Sequence, residues 1–280
     1  MKFYIESYGK INLALDVLNK RPDGYHEIRS VMQQISLSDQ LIFQGQETGV
    51  SIQCDNNSVP LNEDNLIYKA WKKLSDITNS KAGIAVKVSK RIPVAAGLAG
   101  GSGNGAATLL ALNELWGLGL SIRELMEIGR TIGADIAFCL LGGTALAEGI
   151  GEKLTPIKSF QDKSILLINP GIQISSGFAY GLLRMKDERL PIDSLIKHME
   201  DDNLIKVAEN IGNVMEDAIL PLYPAIDEIK KMMIELGALG SLMSGSGSSV
   251  FGIYEDPEKC EFAKNRLVDR YPYVFNVLTI

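Results

Sequence analysis

The chain has 280 residues, of which 46% are hydrophobic and 22% charged, and this composition indicates a globular protein of about two domains. A net charge of -6, from 28 basic and 34 acidic residues, argues against disorder and against a nucleic-acid partner, because phosphate backbones are bound by clustered lysine and arginine. The two histidines and three widely spaced cysteines exclude a structural zinc site. Unclustered cysteines are typical of a reducing compartment, so we expect a cytoplasmic protein.

The first part of the chain combines strands with helices. Apolar residues alternate over 11–17, which predicts a strand that directs Lys10 and Asn12 to the same face. Further strands are predicted at residues 28–37, 40–44, 50–54, 84–88 and 144–148. Helices are predicted over residues 66–74, 103–116 and 135–141, the last with Asp135 as its cap. Another helix is predicted to begin at the capping box of Ser121 and Glu124 and to end near Gly133.

The second part of the chain has a different order of elements. A strand is predicted at 164–168, followed by helices near 177–185, 193–200, 203–211 and 225–236, two strands around an SGSG hairpin, a helix at 257–269 and a last strand. The βα…ββαβ order is typical of a ferredoxin-like sheet. We therefore predict an α+β protein with domains at residues 1–155 and 156–280.

The segment from Pro93 to Thr108 is rich in glycine and follows a predicted strand. Small residues let backbone N–H groups approach an anion, and the helix that follows offers a partial positive charge, so the segment suits phosphate or a nucleotide. A flexible linker or a helix-packing turn is the alternative. The Walker A pattern is absent, and a dinucleotide fingerprint is disfavoured because Pro93 and a long loop separate it from the strand.

Membrane association is not expected from the sequence. Residues 92–113 form the longest uncharged stretch, but Pro93 and five glycines interrupt it, so a loop that leads into a helix is predicted rather than a membrane span. Glu6 and Lys10 interrupt the apolar run that a signal peptide needs.

Lys10 and Asp135 each allow two interpretations. Lys10 could be a surface lysine and Asp135 a helix cap. Alternatively, an aspartate near a phosphate loop could accept a hydroxyl proton while a lysine neutralises developing charge. In the same way, Tyr25 and His26 could form only a turn, and the SGSG segment only a hairpin.

Five segments, in order and over nearly the whole chain, resemble a known family: GKINL at 9–13, RPDGYHE at 21–27, the loop at 93–107, IGAD at 132–135 with GGT at 142–144, and MSGSG at 243–247. Together they resemble the GHMP kinases. Among these, the PDGYH segment is specific to the family that phosphorylates 4-diphosphocytidyl-2-C-methyl-D-erythritol. The resemblance implies an N-terminal ATP-binding domain of the ribosomal-protein-S5-domain-2 type and a C-terminal ferredoxin-like domain.

The resemblance also implies roles for individual residues. It implies Asp135 as the catalytic base with Lys10 as its partner, and ATP as phosphoryl donor with Mg²⁺ carried on its phosphates. Substrate-binding residues implied in this way are Asn12, Tyr25, His26, Ser176 and Tyr180. Residues implied to hold the ATP phosphates are Pro93, Ala95, Gly97, Leu98, Ala99, Gly100, Gly101, Ser102, Gly103 and Asn104. The implied partners are ATP and the small-molecule substrate, without nucleic acid or a membrane. Both a monomer and a homodimer are open, and no residue of the protein is assigned as a metal ligand.

The glycine loop departs from the family pattern at two positions. The family usually reads GGGSS followed by Asp or Asn and two alanines, whereas this chain reads GGSGNGAA. Gly103 thus replaces a serine that in relatives can help hold Mg²⁺, and Gly105 replaces an alanine. Ser102 and Asn104 are the candidate substitutes, and the added glycines raise the hypothesis of a looser phosphate loop.

Three functions remain open on the sequence alone: a kinase of this or another small-molecule specificity, a nucleotide-dependent oxidoreductase, and a nucleotide-binding paralogue without activity. Retention of Lys10 and Asp135 favours the kinase.

Overall fold

A computed structural model describes residues 2–185 and 187–280. These residues form two compact units. The first unit contains residues 2–9, 37–94 and 99–142, and the second contains residues 10–36, 95–98 and 143–280. This partition follows packing rather than chain order, and the predicted domain boundary at residues 155 and 156 stays a prediction.

The strands of the chain, in order, are β1 (Lys2–Lys20), β2 (His26–Gln46), β3 (Val50–Cys54), β4 (Gly83–Ser89), β5 (Thr144–Gly149), β6 (Lys153–Pro156), β7 (Ser164–Asn169), β8 (Gly212–Asn213), β9 (Gly240–Met243), β10 (Val250–Tyr254) and β11 (Tyr273–Leu278). The helices are α1 (Leu66–Thr78), α2 (Gly100–Leu115), α3 (Ile122–Arg130), α4 (Ile136–Leu141), α5 (Ser176–Leu182), α6 (Ile192–Glu200), α7 (Leu204–Asn210), α8 (Glu216–Ile219), α9 (Pro224–Glu235) and α10 (Pro257–Leu267).

Strand β2 is longer than its sequence predicted. The predicted strands at 28–37 and 40–44 are one continuous strand, because Ser38 and Asp39, whose polarity suggested a break, are both buried. Asp39 is balanced by an ion pair with Lys90, 2.7 Å from Oδ2 to Nζ. A buried, paired carboxylate can therefore stand within a strand that looks interrupted in sequence.

The first unit packs helices α1 to α4 on a small sheet. In this unit β4 pairs antiparallel with residues 40–46 of β2 and parallel with β3. Helix α1 begins where the Asn65 side chain accepts a hydrogen bond from the Ile67 N–H, and Ile67, Ala70 and Leu74 face the core. The helix and its amphipathic character are as predicted, but the predicted stripe of Leu66, Ala70, Trp71 and Leu74 is correct as a buried face only at Ala70 and Leu74.

The second unit contains an antiparallel sheet with the strand order β11-β7-β10-β9. Helices α9 and α10 cover it, with Ile226, Ile229 and Ala263 among the buried residues. The sequence order β7, helices, β9, β10, α10, β11 is the predicted ferredoxin-like arrangement, which is confirmed.

The remaining strands extend a larger sheet, ordered β3-β4-β2-β1-β8, with β5 pairing with β2 and β6. Strands β6 and β8 and helix α8 were not predicted from the sequence. These elements have only two to four residues each, too few to show a period. Within the residues described, no helix is both long enough and apolar enough to cross a membrane.

Candidate active site

Lys10 and Asn12 lie on one face of β1, as the alternation predicted. Both side chains are buried, and Lys10 Nζ donates to Asn12 Oδ1 over 2.6 Å. Asn12 Nδ2 donates to Ser30 Oγ over 2.8 Å, and Ser30 Oγ donates to the Ala14 carbonyl over 2.6 Å. The surface interpretation of Lys10 is therefore wrong, since its charge is held inside the second unit by a fixed polar network.

The glycine loop and the SGSG turn pack against each other within the second unit. Ser244 Oγ donates to the Gly97 carbonyl over 3.0 Å, and the Lys10 N–H donates to the Leu98 carbonyl over 3.1 Å. Gly97 has φ of +75°, and a Cβ at this position would collide with the Ser244 carbonyl oxygen. Gly97 is thus required both by its backbone conformation and by close approach.

The SGSG segment is both a hairpin and a partner of the loop. It connects β9 to β10, which pair in register from Met243 with Val250. A Cβ on Gly245 would stand 3.1 Å from the Gly97 carbonyl oxygen and 3.3 Å from Asn12 Oδ1. The turn therefore lies directly against two elements that the sequence assigned to the site.

Two residues that sequence reasoning missed hold this turn. Asn213 Nδ2 donates to the carbonyls of Met243 and Gly245, each over 2.8 Å, and Asn213 Oδ1 accepts from the Met215 N–H. Glu216 Oε1 accepts from the Met243 N–H over 2.8 Å. An isolated asparagine in an unpredicted two-residue strand carries no recognisable sequence signal.

His26 and Tyr180 form a ring pair, whereas Tyr25 does not join it. The His26 and Tyr180 rings stack with centroids 5.1 Å apart and planes inclined by 24°. Burial, reinforced by the positive charge of Lys20, lowers the pKa of His26 below its ordinary value. Tyr25 is 60% exposed, and its backbone N–H donates to Asp23 Oδ1 in a turn. Ser176, in the first turn of α5, has its hydroxyl 3.4 Å from that of Ser246 in the SGSG turn.

In the first unit, helix α2 begins earlier than predicted. Ala99 adopts φ of +56° and ends the loop, so Gly100, Gly101, Ser102, Gly103 and Asn104 form the first turns of α2 instead of a loop. The predicted start at residue 103 was wrong because glycine and serine have low helix propensity, and packing overrides it here. The result still suits phosphate, since the first N–H groups of a 16-residue helix lack intrahelical partners.

The segment that precedes the glycine loop is fixed within the first unit. Asp39 Oδ1 accepts from the N–H groups of Arg91 and Ile92, each over 2.8 Å. Pro93 follows and is buried. The loop residue Ala95, assigned to the second unit, has φ of +51° and is exposed. The approach to the loop is therefore rigidly held by a buried carboxylate.

Gly103 and Gly105 are explained by packing and not by a looser loop. A Cβ at Gly103 would collide with Ser7 Oγ, and one at Gly105 would stand 3.2 Å from Ile136 Cδ1 and 3.3 Å from Leu66 Cβ. Both glycines lie inside α2 and are buried. They let neighbouring elements approach the helix closely.

Asp135 lies at the N-terminal end of α4 but does not cap it. Its side chain makes no capping hydrogen bond, and its backbone is helical, with φ of -82° and ψ of -6°. The prediction that Asp135 caps this helix is therefore wrong. Asp135 is half-buried within the first unit.

Mg²⁺ is implied by the family resemblance, and the donor set can be tested against it. No cluster of three or more His, Cys, Asp or Glu side chains that could hold a metal occurs in the described part of the chain. Ser7 Oγ and Asn104 Oδ1, both buried beside the start of α2, have no hydrogen-bond partner among the described residues. Because neither oxygen is accessible to solvent, the described residues form no all-protein cage, and Mg²⁺ would keep water and phosphate ligands.

Comparison with known protein families gives two matches. The model for the GHMP kinases N terminal domain matches residues 65–143, and that for GHMP kinases C terminal matches residues 194–272. The first match spans α1 to α4 with β4, and the second runs from within α6 to just beyond the end of α10.

Individual relatives match almost the full length. A protein of Alkaliphilus oremlandii named 4-diphosphocytidyl-2-C-methyl-D-erythritol kinase is 46% identical over 99% of this chain and 97% of its own. A protein of the same name from Acetivibrio thermocellus is 44% identical over 91% of each chain. The crystal structure of a 4-(cytidine 5'-diphospho)-2C-methyl-D-erythritol kinase superposes with a TM-score of 0.84 at 31% identity, over 99% of this chain and all of that one. A homoserine kinase of Cytophaga hutchinsonii shares the fold alone, with a TM-score of 0.76 at 19% identity over 99% of this chain and 94% of that one.

Proposed function

The chain belongs to the GHMP kinases, and from that premise we propose that it phosphorylates the 2-hydroxyl group of 4-diphosphocytidyl-2-C-methyl-D-erythritol with ATP. This reaction is part of the non-mevalonate, or methylerythritol phosphate, route to isoprenoid precursors. The observation that carries the proposal is the 46% identity over nearly the whole chain to a kinase named for this substrate. A structure of the same named activity superposes over 99% of the chain, in agreement with the proposal.

The phosphates of ATP are assigned to the glycine loop and the start of α2. The first N–H groups of α2 supply hydrogen-bond donors and a partial positive charge, which favour an anion. Close packing between Gly97 and Ser244 supports a loop that is preorganised and does not need to be ordered on binding. When bound, Mg²⁺ would supply neutralisation of the charge on the triphosphate; Ser102, in the first turn of α2, is the residue assigned to an oxygen contact with it.

The chemical step is assigned to Asp135 and Lys10. The Asp135 carboxylate accepts the proton of the 2-hydroxyl group as its oxygen forms a bond to the γ-phosphorus of ATP. The bond from that phosphorus to the bridging oxygen breaks, and ADP leaves with the electron pair. The Lys10 ammonium, held against Asn12, offsets the negative charge on the transferred group. Support for Asp135 as a base comes from its place in the IGAD segment at 132–135, where the family resemblance implies the catalytic base.

The cytidyl end of the substrate is assigned to the stacked rings of His26 and Tyr180, with Tyr25 at the rim. A planar base stacks favourably on such rings, while polar atoms of His26 can read the base edge. Asn12 and Ser176 are assigned to the remaining polar groups of the substrate. We further propose that the enzyme works in the cytoplasm on small molecules alone, as a monomer or homodimer, with domains divided near residue 155.

The experiment is an ADP-release assay over a panel of the cytidyl substrate, homoserine, mevalonate and galactose. We expect turnover of the cytidyl substrate well above that of the other alcohols. Asp135→Asn should lower kcat by about 10²- to 10⁴-fold with substrate binding nearly unchanged, because it removes the base and keeps the shape. Equal turnover of homoserine or mevalonate would contradict the substrate assignment, and a kcat within a few-fold of wild type in Asp135→Asn would contradict the assigned base.

A further inference from the structure

A series of hydrogen bonds inside the second unit runs from Lys10 to a backbone carbonyl by way of Ser30. Lys10 Nζ donates to Asn12 Oδ1, Asn12 Nδ2 donates to Ser30 Oγ, and Ser30 Oγ donates to the Ala14 carbonyl. Lys10, Asn12 and Ser30 are 5%, 2% and 0% exposed, so these bonds lie away from bulk water, where hydrogen bonds are stronger. Ser30, on β2, is the least exposed of the three and belongs to none of the motif segments.

The two ends of this series fix the direction of every hydrogen bond in it. A lysine ammonium can only donate, and a backbone carbonyl can only accept. Because the single proton of the Ser30 hydroxyl goes to the Ala14 carbonyl, the hydroxyl can only accept from Asn12. The amide nitrogen of Asn12 must then face Ser30, which leaves the amide oxygen for Lys10. A reversed amide would place two donors together at Lys10 and two acceptors together at Ser30.

The SGSG turn encloses the Asn12 amide from another side. A Cβ on Gly245 would stand 3.3 Å from Asn12 Oδ1, so the backbone of the turn packs closely on the oxygen that binds Lys10. The amide is therefore held by packing at its oxygen and by the Ser30 hydroxyl at its nitrogen. Removal of that hydroxyl would leave a buried amide nitrogen without this acceptor, and would free the amide to rotate.

We propose that Ser30 is a positioning residue for phosphoryl transfer: it holds the Asn12 amide in the one orientation whose oxygen binds the Lys10 ammonium. The proposal deepens the proposed function and rests on it, because it takes Lys10 as the group that offsets charge on the transferred phosphoryl group. A charge stabilises a transition state most effectively when it is already held in place before the reaction. Ser30 acts through Asn12 and is not itself a catalytic residue.

The test is the steady-state kinetics of Ser30→Ala with ATP and the cytidyl substrate. We expect kcat to fall by about tenfold while KM for ATP stays within about twofold, because the charge is displaced and the phosphate loop is not. Thr279→Val is the matched control, since it also removes a fully buried hydroxyl of the second unit, one that accepts from the Lys163 N–H. Its kcat should stay within about twofold of wild type. An unchanged kcat in Ser30→Ala, or an equal loss in Thr279→Val, would overturn the proposal.

A double-variant cycle shows whether Ser30 acts through Asn12. On the Asn12→Ala background we expect Ser30→Ala to change kcat by less than about twofold, because the amide that Ser30 holds is gone. A further tenfold loss on this background would mean that Ser30 acts independently of Asn12, and would overturn the proposal. Should Ser30→Ala not fold, Ser30→Cys replaces it with the same expected direction, because a thiol fills a similar volume but is a weak hydrogen-bond partner.

Two further readouts separate positioning from folding. Ser30→Thr keeps the hydroxyl, and we expect kcat within about threefold of wild type even if the added methyl group lowers Tm; a loss as large as in Ser30→Ala would contradict the proposal. The side-chain ¹⁵N–¹H signals of Asn12, identified by their loss in Asn12→Ala, need no turnover. We expect Ser30→Ala to shift one of the two proton signals upfield and to speed its exchange with water, and unchanged signals would overturn the proposal.

Failure of the proposed function has a different signature. A wild-type chain that shows these Asn12 signals but does not turn over the cytidyl substrate would contradict the proposed function, and the catalytic claim for Ser30 with it. Wild-type turnover of the cytidyl substrate together with an unchanged kcat in Ser30→Ala would overturn the claim for Ser30 alone.

Discussion

Single residues show what a strand pattern can and cannot reveal. Alternation over 11–17 predicted that Lys10 and Asn12 share a face, and their hydrogen bond of 2.6 Å confirms it. The same pattern could not show that Lys10 is buried, because burial depends on the elements packed around the strand. For Asp135 the local pattern gave a wrong prediction. Its position before an apolar helix is typical of a helix cap, yet its side chain makes no capping hydrogen bond. Local propensity describes neighbours in sequence, whereas contacts distant in sequence also decide where a side chain such as that of Asp135 lies.

The residue-scale prediction concerns pH and His26. Burial, and secondarily the charge of Lys20, lowers the pKa of His26, so the folded state disfavours the imidazolium form. The unfolded state therefore binds the proton more tightly than the folded state. The stability of the fold that depends on neutral His26 should be fully present above about pH 6.5, and it should fall as the pH drops from there through the lowered pKa. We expect KM for the cytidyl substrate to be flat from about pH 8 down to about 6.5 and to rise below it. KM measured against pH in His26→Gln, whose amide stays neutral, should lose this rise. An identical rise in both proteins would show that another group titrates.

Helices and strands could be predicted where a periodic pattern of apolar residues, or a capping motif, lies within one continuous segment of the sequence. The amphipathic helix α1, the capping box of Ser121 with Glu124, and the ferredoxin-like order of the C-terminal strands were all visible in the sequence and are confirmed. The start of α2 was not, since glycine-rich turns become helical here only through close packing with β1 and neighbouring helices. Strand β8 could not be predicted because it is two residues long. It carries Asn213, whose side-chain amide donates hydrogen bonds to carbonyls of the SGSG turn and of Met243 before it.

The element-scale prediction concerns that turn. Asn213→Ala leaves the Met243 and Gly245 carbonyls without their buried donor, which costs about 1 to 3 kcal/mol and should lower Tm by several degrees. Because the turn packs on Gly97, we also expect KM for ATP to rise several-fold. Ser241→Ala, on strand β9, is the matched control and should leave KM for ATP unchanged, since among the described residues the Ser241 hydroxyl bonds to Met233 sulfur and not to the SGSG turn. A lower Tm with unchanged KM for ATP in Asn213→Ala would mean that the turn serves only the fold.

The whole molecule combines a helix-covered unit carrying the start of α2 and Asp135 with a second unit carrying Lys10, Asn12 and the ring pair. The order of the motifs was sufficient to predict the family, because the PDGYH segment, the glycine loop and the SGSG segment follow one another here in the same order as in the GHMP kinases. Motif order does not reveal which atoms meet. The collision that only glycine avoids at residue 103, and the hydrogen bonds by which Asn213 holds the SGSG turn, are visible only in the folded structure.

The most direct test of the account is the position of the transferred phosphoryl group. Carbon 2 of the proposed substrate bears the methyl group and no hydrogen, so a phosphate on its oxygen has no carbinol proton three bonds away. We predict that the purified chain, ATP and 4-diphosphocytidyl-2-C-methyl-D-erythritol yield one new phosphomonoester signal in ³¹P NMR that shows no splitting by protons. A new signal split by carbinol protons, or no new signal beyond ADP and inorganic phosphate, would contradict the account.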